Sequence, residues 1–88
     1  MIRRRVVIHG WVQGVFFRDT VRQRARAAGI AGWVRNNGDG TVEAVFEGET
    51  GAVERLIEFC RRGPRGARVD HVDVTSEDPE DQSSFEIY

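Results

Sequence analysis

What constrains this chain most is the way its apolar residues change period. Over 88 residues they pass back and forth between the two-residue repeat of a strand and the 3.6-residue repeat of a helix. "RRRVVIHGW" (3–11) alternates, with Val6 and Ile8 on one face and Val7 and His9 on the other. From Asp19 to about Ala28, "DTVRQRARAA" is helical: Val21, Ala25 and Ala28 share a face, arginines and Gln23 take the opposite one, and Gly29 is the stop. "IAGWVRN" (30–36) and "TVEAVFEG" (41–48) return to strand, joined by "NGDG", a hairpin signal because Asn, Asp and Gly tolerate positive φ. In the second of these runs Val42, Ala44 and Phe46 face one way, and Thr41, Glu43, Val45 and Glu47 the other. Thr50 reads as the N-cap of a second helix, with Val53, Leu56, Ile57 and Cys60 at i, i+3, i+4 and i+7 and Gly63-Pro64 ending it. "ARVDHVDVTSE" (67–77) is a fourth strand, "DPEDQSS" (78–84) a polar connection and "FEIY" (85–88) a short last strand.

The order βαββαβ is two split βαβ units, the α+β ferredoxin-like plan. Right-handed crossovers put both helices on one face of an antiparallel sheet of order 4-1-3-2, with the short fifth strand expected beside an edge. A chain of this length is expected to form one domain, residues 1–88, around one core. In this plan strands 1 and 2 are parallel with strand 3 between them. Their C-terminal ends share one end of the sheet, so residues near 12–18 and near 36 can meet.

Composition narrows the classes of function. Hydrophobic content of 40% with 31% charged residues is that of a globular domain, and a net charge of -1 supplies no field for nucleic acid or membrane. Arg3, Arg4 and Arg5 make at most a small local patch. "VVIHGWV" behind them is too short and too polar-flanked for a signal peptide or a membrane span, so a cytoplasmic protein is expected. The one cysteine, Cys60, falls on the apolar helix face and reads as a buried free thiol. His9 and His71 lie on different strands with no partner at ligand spacing, so no metal or other cofactor is expected. Asp70, Asp73 and the "EDPED" run read as a solvated edge and loop, and Asp19 as a first-turn helix residue beside Arg18.

The stretch "HGWVQGVFFRD" (9–19) fits neither a buried strand nor an ordinary turn. Two glycines bracket a valine-rich run that ends in Arg18, with a helix starting behind it. A loop entering a helix N-terminus presents successive N–H groups and partial positive charge, which suits an anion. Gly14 leaves the backbone approachable, and Arg18 adds a planar fork of donors matched to phosphate oxygens. A tight turn with Arg18 solvated fits the same residues. The loop is not of the Walker type, which needs a Lys and a Ser or Thr after its glycines.

"IHGWVQGVFFR", Ile8 to Arg18, resembles the first signature of the acylphosphatase family at Gly10, Val12, Gln13, Gly14, Val15, Phe17 and Arg18. "GWVRNNGDGTVEAVFEG", Gly32 to Gly48, resembles the second, including Asn36, Gly40, Val42 and Gly48. The resemblance implies hydrolysis of a carboxyl-phosphate anhydride to a carboxylate and inorganic phosphate. It implies that backbone N–H groups of Gln13, Gly14, Val15, Phe16, Phe17 and Arg18, with the Arg18 guanidinium, hold the phosphoryl oxygens, and that Asn36 orients the attacking water. The implied partner is a small-molecule acyl phosphate; no nucleic acid and no membrane partner is expected, and nothing in the sequence demands more than a monomer. One departure stands out: the family commonly ends Phe-x-Ile-x-Tyr, whereas this chain ends Phe85-Glu86-Ile87-Tyr88. Strand alternation then turns Tyr88 off the face shared by Phe85 and Ile87, and a fifth strand parallel to strand 2 would bring the Tyr88 carboxylate to Arg18.

Two rival classes share this order of elements. RNA-recognition modules need aromatics on the open sheet face, but "TVEAVFEG" has one aromatic, Phe46, with Glu43, Glu47 and Glu49 around it. A regulatory module could use the same cradle to sense a phosphorylated metabolite, or the domain could handle carbamoyl phosphate like those of larger hydrogenase-maturation proteins that resemble this fold, and turnover distinguishes these from an enzyme.

Overall fold

The computed structural model describes residues 1–88. The elements are β1 (Ile2–Trp11), α1 (Phe17–Ala27), β2 (Ala31–Asn36), β3 (Val42–Gly48), α2 (Thr50–Arg62), β4 (Arg68–Glu77) and β5 (Phe85–Ile87). One five-stranded sheet has the order β4-β1-β3-β2-β5, antiparallel except for the parallel pairing of β5 with β2. This is the expected ferredoxin-like plan, with the fifth strand extending the β2 edge.

Strand alternation sorts the residues by face. Val6 and Ile8 of β1, Val34 of β2, and Val42, Ala44 and Phe46 of β3 are fully buried, with Val21 and Ala25 of α1 and Val53, Leu56, Ile57 and Cys60 of α2 in the same cluster. Helix α1 starts two residues before the expected Asp19, so that Phe17 joins the core, and Ala28 is an exposed C-cap rather than a core residue. Helix α2 is capped by Glu49, not Thr50: the Glu49 carboxylate accepts from Gly51 N at 3.1 Å and Ala52 N at 2.8 Å. Thr50 is the first helical residue.

The opposite face of the sheet is closed by charge instead of by helices. Arg3 and Glu47, 3% and 2% exposed, form a buried pair at 3.2 Å. Such a pair persists only if its remaining donors and acceptors are satisfied. They are: Glu47 also accepts from the backbone N–H groups of Glu80 and Gln82, while Arg3 donates to Glu77 and to Gln82 Oε1. Burial pushes the Glu47 carboxyl up, but these hydrogen bonds together outweigh it and hold the group below its ordinary value. Arg5 joins Glu77 and Glu43, each at 2.5 Å. Arg3 and Arg5 are therefore spent inside the fold and form no free basic patch. The 78–84 connection is not a merely solvated loop either, because its backbone clamps Glu47.

The register sets up the site. Val42 of β3 pairs with Ile8 on one side and with Asn36 on the other, so the exits of β1 and β2 lie one strand apart at the same end of the sheet. Directly paired residues share a face. Asn36 therefore continues the helix-side row of Gly32 and Val34, ending an apolar row with an amide below the start of α1.

Candidate active site

Residues 12 to 16 leave β1 and reach α1 through a loop pinned at both ends by buried side chains, Val12 at 1% and Phe17 at 2% exposure. Gly10 is required at the exit. It has φ +133° at an irregularity in the β1–β4 pairing, and a Cβ there would lie 2.1 Å from Arg68 O. Gly14 answers a different need: it sits at φ +76° with no atom within 4 Å of where a Cβ would be, so it supplies a left-handed turn that faces open space.

Phe16 then takes φ 58° and ψ 26°, left-handed for a residue with a Cβ, and helix α1 has no side-chain cap. None of the backbone N–H groups from Gln13 to Asp19 donates to an acceptor of the chain. The first that does is Thr20 N, to Phe16 O at 3.1 Å. The result is a run of unpaired donors at the positive end of a helix, the physical form of an anion cradle. Asp19 does not cap it, since its carboxylate pairs with Arg22 Nη2 at 3.2 Å.

Arg18 and Asn36 meet at this cradle. Val12, Gly14, Phe16, Phe17, Arg18, Asp19, Asn36 and Ile87 line one open cleft of about 240 Å³. Arg18 makes no ion pair with a side chain; Nη1 donates to the Tyr88 main-chain oxygen at 2.5 Å, which steadies the guanidinium and leaves other donors of its fork unused. Asn36 Oδ1 is the one buried side-chain oxygen or nitrogen in the chain with no hydrogen-bond partner. Such a group is normally satisfied, and one that is not marks a place where a ligand or water accounts for it. The structure thus brings Gly14, Phe16, Phe17 and Arg18 together with Asn36, as the topology predicts, while Gln13 and Val15 belong to the same loop but do not line the cleft.

Sequence reasoning assigned Gln13 only a backbone role. Its side chain does more: Nε2 donates to Asn37 O at 2.8 Å and to Thr41 O at 2.9 Å, tying the cradle to the β2–β3 hairpin that carries Asn36. The hairpin is closed in turn by Asn37 N to Thr41 O at 2.8 Å, and by the Asp39 carboxylate accepting from Thr41 N and Oγ1. Tyr88 is turned off the core face as alternation requires, with its ring 6.3 Å from that of Trp33.

Other candidate groups lie elsewhere. Cys60 is fully buried, and burial pushes its thiol up to about 12, which removes it as a nucleophile. His9 and His71 are brought side by side across β1 and β4, and both ring Nε2 atoms contact the Asp73 carboxylate, at 3.0 and 2.6 Å. All three lie outside the cleft.

Comparison with known proteins agrees with this geometry. The acylphosphatase family profile matches residues 4–87. The acylphosphatase of Rubrobacter xylanophilus is 59% identical over 75 residues, covering 85% of this chain and 68% of that protein. That of Gloeobacter violaceus is 51% identical over 86 residues, covering 98% and 92%. The crystal structure of acylphosphatase from Bacillus subtilis superposes with a TM-score of 0.96 at 35% identity, over 100% of this chain and 99% of that one. The chain belongs to the acylphosphatase family, the hydrolases of acyl phosphates.

Proposed function

We propose that the phosphoryl group of an acyl phosphate is held by the N–H groups of Gln13 to Arg18 and by the Arg18 guanidinium, and that Asn36 orients the water that attacks it. The observation that carries this reading is the orphaned Asn36 Oδ1 in the same cleft as the uncapped start of α1. An amide oxygen can accept from a water while its NH₂ donates to a phosphoryl oxygen, so one side chain can align both partners.

In this scheme the water oxygen bonds to phosphorus as the bond from phosphorus to the acyl oxygen breaks. The electron pair leaves with the carboxylate, and the water proton passes to the phosphate. A carboxylate is stable without protonation, and a loose phosphoryl transition state asks little of its nucleophile, so neither a general acid nor a protein base is required. The residues supply position and electrostatic stabilisation. In this reading the enzyme is a monomer in which residues 1–88 act as one domain around the single core cluster.

The test is hydrolysis of benzoyl phosphate in EDTA by the wild type, Arg18→Ala and Asn36→Ala. Removing one preorganised donor of this kind costs about 2.7–4 kcal/mol of barrier, or about 10²–10³ in rate. The expected result is turnover by the wild type and at least that loss in each variant, with unchanged circular dichroism. A folded variant near wild-type rate removes its residue from the mechanism.

A further inference from the structure

Phe16 is the oddest residue of the site. Its side chain is 78% exposed, the most exposed large apolar side chain in the fold, while its neighbour in sequence, Phe17, is buried. It also holds a left-handed backbone, φ 58° and ψ 26°, which disfavours a residue of its bulk. Neither feature stabilises the fold, but both set an aromatic ring on the rim of the cleft.

We propose that the Phe16 side chain, with Ile87 behind it, is the surface on which the acyl group of the substrate packs, and that the enzyme favours uncharged aryl or bulky alkyl acyl phosphates over small ones. The inference rests on the placement of the phosphoryl group proposed above. With phosphorus in the cradle and water held by Asn36 from the buried floor, in-line displacement requires the leaving carboxylate to point the opposite way, toward the rim. The apolar residues lining the cleft are Val12, Phe16, Phe17 and Ile87, and Val12 and Phe17 are already buried in the core. Phe16 and the half-buried Ile87 are the ones left with apolar surface to cover. The one basic residue lining the cleft is Arg18, which the phosphoryl group takes up, so no cation there matches an acyl group bearing negative charge.

The experiment compares kcat/KM for benzoyl phosphate and acetyl phosphate in the wild type, Phe16→Asn and Phe16→Tyr. Asn enters the left-handed region readily, so it keeps the backbone and removes the ring. Any new contact it makes with the cradle acts on the phosphoryl end, common to both substrates, and cancels in the ratio. The benzoyl-to-acetyl ratio should fall about tenfold in Phe16→Asn, the upper range for one aromatic pair, and stay within about twofold in Phe16→Tyr. An unchanged ratio in Phe16→Asn, or an equal fall in both variants, overturns the acyl-group role while leaving the phosphate site standing. Failure of the wild type to turn over either substrate overturns both.

Discussion

The molecule has two helix N-termini, and they are finished in opposite ways. At α2, Glu49 has an extended backbone and its carboxylate accepts from Gly51 N and Ala52 N, so the end is neutralised by the chain itself. At α1, Phe16 is left-handed, no side chain caps the end, and the N–H groups from Gln13 to Asp19 have no partner in the protein. The two helices are of similar length, 11 and 13 residues, and pack on the same sheet. Capping is thus available to this fold where stability alone is at stake. Where it is withheld, Arg18 and Asn36 line the opening, and the buried Oδ1 of Asn36 has no partner.

Converting the open end into a closed one should cost function first. Gly14 has space for a Cβ, so Gly14→Asp adds a carboxylate beside the cradle with no steric clash, and Gly14→Asn is its neutral control, sharing the strain of a side chain at φ +76°. Even a quarter of the roughly 4 kcal/mol felt by two unit charges 4 Å apart near a protein surface amounts to about fivefold in affinity. KM for benzoyl phosphate should rise at least that much in Gly14→Asp over Gly14→Asn, at similar thermal midpoints. Equal KM values would mean that phosphate does not enter the cradle.

The tether comes next. Gln13→Ala removes two hydrogen bonds worth about 1 kcal/mol each, and with them the link between cradle and hairpin. Here kcat/KM should drop about tenfold with kcat carrying part of the loss, because Arg18 and Asn36 are no longer held at one spacing. A change in thermal midpoint alone would reduce Gln13 to a structural residue.

The smallest effect on activity belongs to the closed end. Glu49→Ala should lower the thermal midpoint by a few degrees and leave kcat/KM as it is. Hydrogen bonds from Ala52 N, then from Gly51 N, hold the Glu49 carboxyl below its ordinary 4.5. A group whose folded value is depressed stabilises the fold above its unfolded value, and that stability is lost as pH falls through the folded one. Glu49→Gln should therefore flatten part of the stability loss below about pH 4.5. Asp39, Glu43, Glu47, Asp73 and Glu77 are also held low, so they keep the rest of that acid branch.

Much of this contrast was legible in the sequence, though not the contrast itself. Period 2 against period 3.6, the "NGDG" turn and the βαββαβ order are local signals, and together they bring Asn36 to the loop that ends in Arg18. What escaped reading depended on backbone conformation or on register. The left-handed turn at Phe16 starts α1 at Phe17, but nothing in "VFFR" distinguishes the first phenylalanine from the second. Glu49 caps α2 although Ser, Thr, Asp and Asn are the usual choices, which made Thr50 the natural reading. The Gln13 tether and the Arg3–Glu47 pair join residues 24 to 44 positions apart, beyond any local pattern. His9, His71 and Asp73 meet only because β1 and β4 pair in this register.

The most direct test of the central claim is a titration of ¹⁵N-labelled protein with inorganic phosphate, following every backbone amide. The account predicts saturable shifts at the amides of Gln13 to Asp19 and at the Asn36 side chain, with those of Gly51 and Ala52 unmoved. Shifts of equal size at both helix ends, or none between Gln13 and Asp19, would contradict it.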